Sequence, residues 1–455
     1  MIVLITFSVT IFAQQSFVNF SHIEHLSERI YLSGDSVSII RIYADYPSYN
    51  WVDASSEGIT CVDDAARTAV AYLRHYELTK NAVSKNKAKE YLKFVIKLQA
   101  EDGQFYNFIY ADHSINRDGK TSFKSFGWWA ARGVWCFGLG YRIFEKEDPQ
   151  FAALLKTGIE KTFVHIDTLL HQYGKKKEIS GYAIPQWLLY ESGSDATTEL
   201  VLGLTEYYTA TADTKVRSYI EKFCDGMMQM QSGDIRTYPF GLHRSWETMW
   251  HAWGNGQTQA LAQAGKVLKN KTMIASAQRE AEGFYSRLLI QGFKREFDVA
   301  DSSKKREFEQ IAYDIRPMVI GLIRLYEATN DKKYLTMAQI AGSWFFGNNA
   351  VNVQMYDPLT GRCFDGIHSY TEFNKNSGAE STIEALNAII ELEQYDKTND
   401  FSKYRRTNSG ENKKFIFAIY SNGNDEAGLV IDKKQGSLSM MTGKPFTDFK
   451  KKNLK

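Results

Sequence analysis

Eleven stretches of this chain carry apolar side chains at helical spacing, and the connections between them alternate between tight and long. From Thr60, the residues Val62, Ala65, Ala66, Ala69, Val70 and Leu73 form one such face. The spacing predicts further helices over 88–98, 126–144, 151–170, 197–210, 215–230, 247–268, 273–289, 312–328, 333–346 and 377–392. Glu145 to Pro149 and Thr329 to Asp331 are tight links, which make antiparallel neighbours of the helices they join. The links 102–124 and 347–376 are long, aromatic and polar, as functional loops on a helical scaffold are. Paired helices recurring in this way predict an all-α fold, an (α/α)6 toroid of about six hairpins, one of them completed imperfectly, with the long loops gathered at one mouth.

Minor β segments are expected at both ends. SIIRIYADYPSYNW before residue 52 is rich in Ile and Tyr, and the stretch from Lys414 holds strand-like runs divided by Asn-Gly-Asn. The final FKKKNLK is expected to fray. Residues 1–13, MIVLITFSVTIFA, form a short apolar run with a small residue at its end, which reads as a secretory signal, although a charged start is missing. The division that follows is 1–13 signal peptide, 14–57 lead-in, 58–400 barrel and 401–455 C-terminal extension. A secreted or periplasmic location is expected, and no later stretch has the ~20 apolar residues of a membrane span.

Charge and cysteine usage narrow the function classes. With 55 basic and 53 acidic side chains the net charge is +2, too small a field for a nucleic-acid partner. Cys61, Cys136, Cys224 and Cys363 are far apart and show no Cys-x-x-Cys spacing; a buried thiol is the leading reading for them, with a disulfide the minority one. Nucleotide-binding glycine loops, the His-Glu-x-x-His zinc motif and the Gly-x-Ser-x-Gly elbow are all missing, and no cofactor or metal is implied.

What remains is a set of acids, arginines and tryptophans at helix starts and in the long loops. Hydrolysis of a glycoside needs two carboxylates, an acid for the leaving oxygen and a base or nucleophile opposite. Asp63 and Asp64 open the first helix, where the helix terminus favours the charged form that a base requires; Thr60-x-x-Asp63 also reads as a capping box. Glu380 opens the last helix and carries the same ambiguity through Ser377-x-x-Glu380. A helix over 247–268 would set Trp246 beside Trp250 and Glu247 beside His251, one turn apart, as a sugar-binding cluster. Trp128, Trp129 and Arg132 begin another helix, and Tyr313, Asp314 and Arg316 begin a third, with Asp314 and Arg316 readable as an ion pair.

With Trp344-Phe-Phe-Gly-Asn348-Asn349 followed by a loop and then Asn376-Ser-Gly-Ala-Glu380, the chain resembles six-hairpin, (α/α)6-barrel glycosidase-like proteins, remotely family 9 glycoside hydrolases. The resemblance implies Asp63 or Asp64 as base and Glu380 as acid, although the family's aspartates are separated by two residues and these are adjacent. It also draws Asn348, Asn349 and Asp365 into the substrate contacts. The expectation is an exported glycoside hydrolase acting on a carbohydrate. A polysaccharide lyase or uronate epimerase on the same fold, and a non-catalytic glycan-binding protein, stay open as alternatives.

Overall fold

The computed structural model describes residues 16–423 and 425–454, so the signal sequence expected over 1–13 lies outside the described residues. After α1 (Ser21–Leu26) come α2 (Val62–Thr79) with α3 (Ala82–Leu98), then α4 (Trp128–Phe144) with α5 (Pro149–Lys161), extended by α6 (Phe163–Leu170). Next are α7 (Ser194–Thr211) with α8 (Thr214–Gln229), and α9 (Gln257–Leu268) with α10 (Lys271–Glu280). The last of these runs through a π-helical turn, Ala281–Tyr285, into α11 (Ser286–Gln291). α12 (Ala312–Thr329) with α13 (Lys332–Gly342), the unpaired α14 (Ala379–Tyr395) and α15 (Gly443–Asn453) complete the set.

Helices α2, α4, α7, α9, α12 and α14 pack each on the next, and α14 closes back on α2, giving an inner ring of six. Their hairpin partners form the outer ring. Among the described residues the sixth position has no outer helix: α1 covers α14 instead, and Glu393 of α14 accepts bonds from the Phe17 amide at 2.5 Å and the Ser16 hydroxyl at 2.7 Å. The (α/α)6 toroid with one imperfect hairpin is therefore the observed fold.

Small residues set the ring's tightness. A Cβ on Gly138 of α4 would lie 2.0 Å from the Gly203 carbonyl of α7, so these two helices touch backbone to backbone. All six apolar residues expected to face inward from α2 are buried, yet so are Asp64, Arg67 and Thr68 on its other side. An inner helix is covered all round, by the outer ring on one flank and by the lumen's contents on the other.

Three expectations about elements need correction. Residues 247–256 are not helical: Met249–His251 is a strand, paired antiparallel with Glu296–Asp298, and α9 starts only at Gln257. Gly254, at φ +63°, ends the extended run and turns the chain into the helix. The span 151–170 divides into α5 and α6 at Thr162. FKKKNLK is not loose through its length: α15 runs to Asn453 and buries Phe446 against the four-stranded antiparallel sheet of residues 404–442. That sheet is fastened to the barrel by Tyr420, whose hydroxyl donates to the Leu289 carbonyl at 2.6 Å, and by Arg406, which donates to Ile290 at 2.9 Å. The four cysteines are all free and buried.

Candidate active site

A cavity of about 480 Å³ opens at the mouth where the inner helices begin. Asp63 and Asp64 stand in the first turn of α2, Glu380 in that of α14 and Tyr313 in that of α12, and all four line it. The helix N-termini that converge here present a positive potential, which favours the charged form of the acids they carry.

The two aspartates play different parts. Asp64 is buried and spent on its neighbours: it accepts from Arg67 Nη2 at 2.6 Å and from the Cys61 thiol at 3.3 Å. Burial raises its pKa against the pull of Arg67. Asp63 is 29% exposed to the cavity, with Oδ1 lying 3.0 Å from Arg132 Nε. The helix cap is Cys61, not Thr60; its sulfur accepts from the Asp64 amide, so the capping box expected of Thr60 and Asp63 does not form. Asn107 holds the strand-to-helix turn by accepting from the Asp63 amide at 3.3 Å.

Glu380 lines the same cavity. Its Oε2 accepts from both Arg67 Nη1 and Nη2 at 3.2 Å, so Asp64 and Glu380 share one guanidinium nitrogen. Their nearest oxygens can be no further apart than those two bonds laid end to end. The Glu380 side chain is 45% exposed, yet the protein packed round its base and the neighbouring carboxylates of Asp64 and Glu384 raise its pKa, while Arg67 works in the other direction. Ser377 does not cap α14. Asp365 does: its Oδ1 accepts from the Gly378 amide at 2.8 Å and the Ser381 hydroxyl at 2.7 Å.

Beneath the cavity the lumen is filled by one polar side chain from each inner helix: Arg67, Arg132, Glu199, Gln259, Arg316 and Glu384, all buried. Glu384 accepts from Arg67 at 2.8 Å and from Arg316. Burial alone would raise its pKa, but Arg316 and Arg67 outweigh that and hold it below the usual range. The Tyr313 ring sits among three guanidiniums, 5.1 Å from those of Arg67 and Arg132 and 5.5 Å from that of Arg316, and its hydroxyl accepts from Arg132.

Several expected contacts lie elsewhere. Arg132 and Arg316 belong to this floor and do not line the cavity. Asp314 turns from the cavity to accept from the Ile311 amide at 3.0 Å and from Arg295 at 3.2 Å; burial pushes it up to about 8. The expected Asp314–Arg316 pair is replaced by Asp314–Arg295 and Arg316–Glu384. Trp250 is buried against Phe284 and Phe297, because alternation along a strand sends it to the opposite side from its neighbours. Glu247 is exposed, and its backbone carbonyl accepts from Arg244. Trp129 donates to the Phe105 carbonyl and packs on Phe123, outside the cavity lining. Asn348 and Asn349 line a different crevice, where Asn348 accepts from the Arg406 amide at 3.0 Å.

Trp246 and His251 do not line the cavity and pack instead on a residue not singled out from sequence, Trp253. Its ring stacks on His251 at 3.8 Å and lies 6.0 Å from Trp246, 5.9 Å from Trp128 and 6.4 Å from Tyr313. His251 is in turn held by Asp195 at 2.8 Å. Sequence reasoning also passed over Glu384, Arg295 and Glu309. For Glu384 a signal was present: charged residues recur seven positions apart inside apolar helices, as in Arg67 and Arg74, Glu199 and Glu206, and Glu384 and Glu391.

Comparison with known proteins agrees with this architecture. Residues 130–356 match the model of glycosyl hydrolase family 9, a span that contains neither Asp63 nor Glu380. Among solved structures, a sugar epimerase from a ruminal bacterium is 14% identical with a TM-score of 0.54, covering 77% of this chain and 91% of that one. Cellobiose 2-epimerase from Bacillus thermoamylovorans is likewise 14% identical with a TM-score of 0.54, over 78% and 91%. The chain has the (α/α)6-barrel fold of these structures and is similar to family 9 over residues 130–356. A D-mannose isomerase shares the barrel at 13% identity and a TM-score of 0.53, over 78% of this chain and 91% of that one. No curated protein matches by sequence. The barrel and the family 9 match over residues 130–356 support an enzyme acting on carbohydrate, and no helix among the described residues is long and apolar enough to cross a membrane.

Proposed function

We propose that this enzyme hydrolyses a glycosidic bond in a neutral carbohydrate, with Glu380 as the general acid and Asp63 as the base. The observation that carries the reading is the cavity itself, which Glu380 and the part-exposed Asp63 both line while Arg67 joins Glu380 to Asp64. Hydrolysis asks for a protonated group at the leaving oxygen and an ionised one toward water, and the protein packed round its base and the neighbouring carboxylates of Asp64 and Glu384 raise the pKa of Glu380 toward the first of these roles. Asp64 is a positioning residue: it fixes Arg67, and Arg67 fixes Glu380. Trp128 and Trp253, part-exposed and outside the cavity lining but next to Tyr313, supply rings for a sugar face to stack on beyond the acids.

Charge argues against the uronate alternative. Five acids line the cavity, Asp63, Asp64, Glu309, Asp365 and Glu380, against two arginines, Arg67 and Arg295, and both arginines already face carboxylates. A sugar acid entering here would meet net repulsion. Export, read from residues 1–13, completes the proposal and is tested by the N-terminal mass of the protein recovered from the medium or periplasm.

The reading is tested on a panel of neutral oligosaccharides and polyuronates. Reducing ends should appear from a neutral substrate, and Glu380→Gln should lower kcat by about 10²–10⁴-fold. Turnover that only inverts a hydroxyl of the sugar, with no bond between residues broken, would replace hydrolysis by epimerisation; unchanged kcat in the variant would remove Glu380 from the chemistry.

A further inference from the structure

A second cavity, about 210 Å³, lies between the turn at 238–240, the π-helical turn and α11, and the hairpin of residues 296–306; it shares no lining residue with the catalytic cavity. Its walls are aromatic. Tyr238, Phe240, Phe284 and Phe297 line it, with Tyr238 set edge-on to Phe240 at 5.7 Å and Phe284 5.9 Å from Phe297. Arg287 and Lys305 stand in the same lining, and no acidic side chain does.

The arginine is unusual. It is 8% exposed, stacks on Phe240 at 3.7 Å and donates to the carbonyls of Gly283 and Ile235 at 2.7 and 2.9 Å. Neither it nor Lys305 has a carboxylate within ion-pair distance among the described residues. Most buried arginines in this barrel, such as Arg67, Arg132, Arg316 and Arg324, do have one. A buried cation without a counter-ion is costly, and here burial brings its pKa down to about 10.

We infer that this cavity binds a small amphipathic carboxylate, an aromatic ring with a short acid side chain, ring against the phenylalanines and carboxylate toward Arg287 and Lys305. The size fits one ring and little more, since an apolar cavity of about 150 Å³ accommodates benzene. The carboxylate would supply the counter-charge that the protein withholds, in a bidentate or single charge-assisted bond.

The probe is 3-phenylpropionate, titrated calorimetrically into the full-length protein, with 3-phenylpropan-1-ol as its neutral analogue. Binding of one equivalent is expected, with at least a tenfold loss for the alcohol. Lys305→Glu, a change at an exposed side chain, should weaken the acid at least fivefold. Glu380→Gln should leave it unchanged, which separates this cavity from the catalytic one. No binding at 10 mM probe, equal affinity for acid and alcohol, indifference to Lys305→Glu, or loss of binding in Glu380→Gln would each overturn the assignment.

Discussion

Arg67 is the residue on which the site turns. Its guanidinium contacts Asp64, Glu380 and Glu384 at once, so the protonation of the acid is tied to the partners that compete for one cation. The two adjacent aspartates are therefore separable by experiment. Asp63→Asn removes the accessible carboxylate and should lower kcat by about 10²–10⁴-fold. Asp64→Asn should cost far less rate and change the pH profile instead. Glu380 must be protonated to donate, so the rate falls as pH rises through its pKa; the Asp64 charge raises that pKa, and its removal should move the falling limb of kcat to lower pH. Steady-state kinetics of both variants across pH checks this, and a limb that stays in place in Asp64→Asn would refute the coupling.

Among the elements, the N-terminus of α14 governs where Glu380 points. Asp365 reaches back from the preceding loop to the Gly378 amide and the Ser381 hydroxyl, doing the work that sequence assigned to Ser377. Asp365→Ala should cost about 1 kcal/mol of stability, as the loss of a helix cap does, and lower kcat with little change in KM. Thermal unfolding and kinetics of the one variant test both; an unaltered melting temperature with unaltered kcat would deny Asp365 this role. The segment 243–256 teaches the complementary lesson. Its aromatic spacing suits a helix, but Gly254-Asn-Gly256 interrupts the run and the distant strand Glu296–Asp298 captures it, so tertiary pairing overrode the local pattern.

At the scale of the molecule, the barrel holds two polar layers with the same order of residue types. Below the first ring, the inner helices contribute Arg74, Arg142, Glu206, Gln263, Arg324 and Glu391 to a cavity of about 480 Å³ at the far mouth. Glu206 accepts from Gln263 at 2.8 Å and pairs with Arg74 and Arg142 at 2.5 Å each. Burial would raise its pKa, but the two arginines outweigh that and hold it at about 2. A folded-state pKa below the unfolded value of ~4.3 contributes stability that is complete above the unfolded value and lost as pH falls toward 2. Glu206→Gln should therefore destabilise the barrel at pH 7 by about 3–5 kcal/mol and flatten its acid sensitivity between those limits. Urea unfolding at pH 7 and at pH 3 measures the two effects, and parallel losses at both would argue against this ion pair as the source.

The helical period, the short links and the aromatic long loops, read from the sequence alone, were enough for the barrel, its imperfect sixth hairpin, and the placing of Asp63, Asp64, Tyr313 and Glu380 at helix starts. Those are local properties: periodicity and end position follow from neighbours along the chain. Which aspartate stays open, that Asp365 caps α14, that Trp250 turns into the core while Trp253 packs beside Tyr313, and that charged helix positions point inward were decided by tertiary structure. A charged residue on a helix is ordinarily read as facing water. Closing six helices into a ring makes that face a lumen, and only the partners arriving from the other five helices determine whether a charge there is paired, buried or free to act.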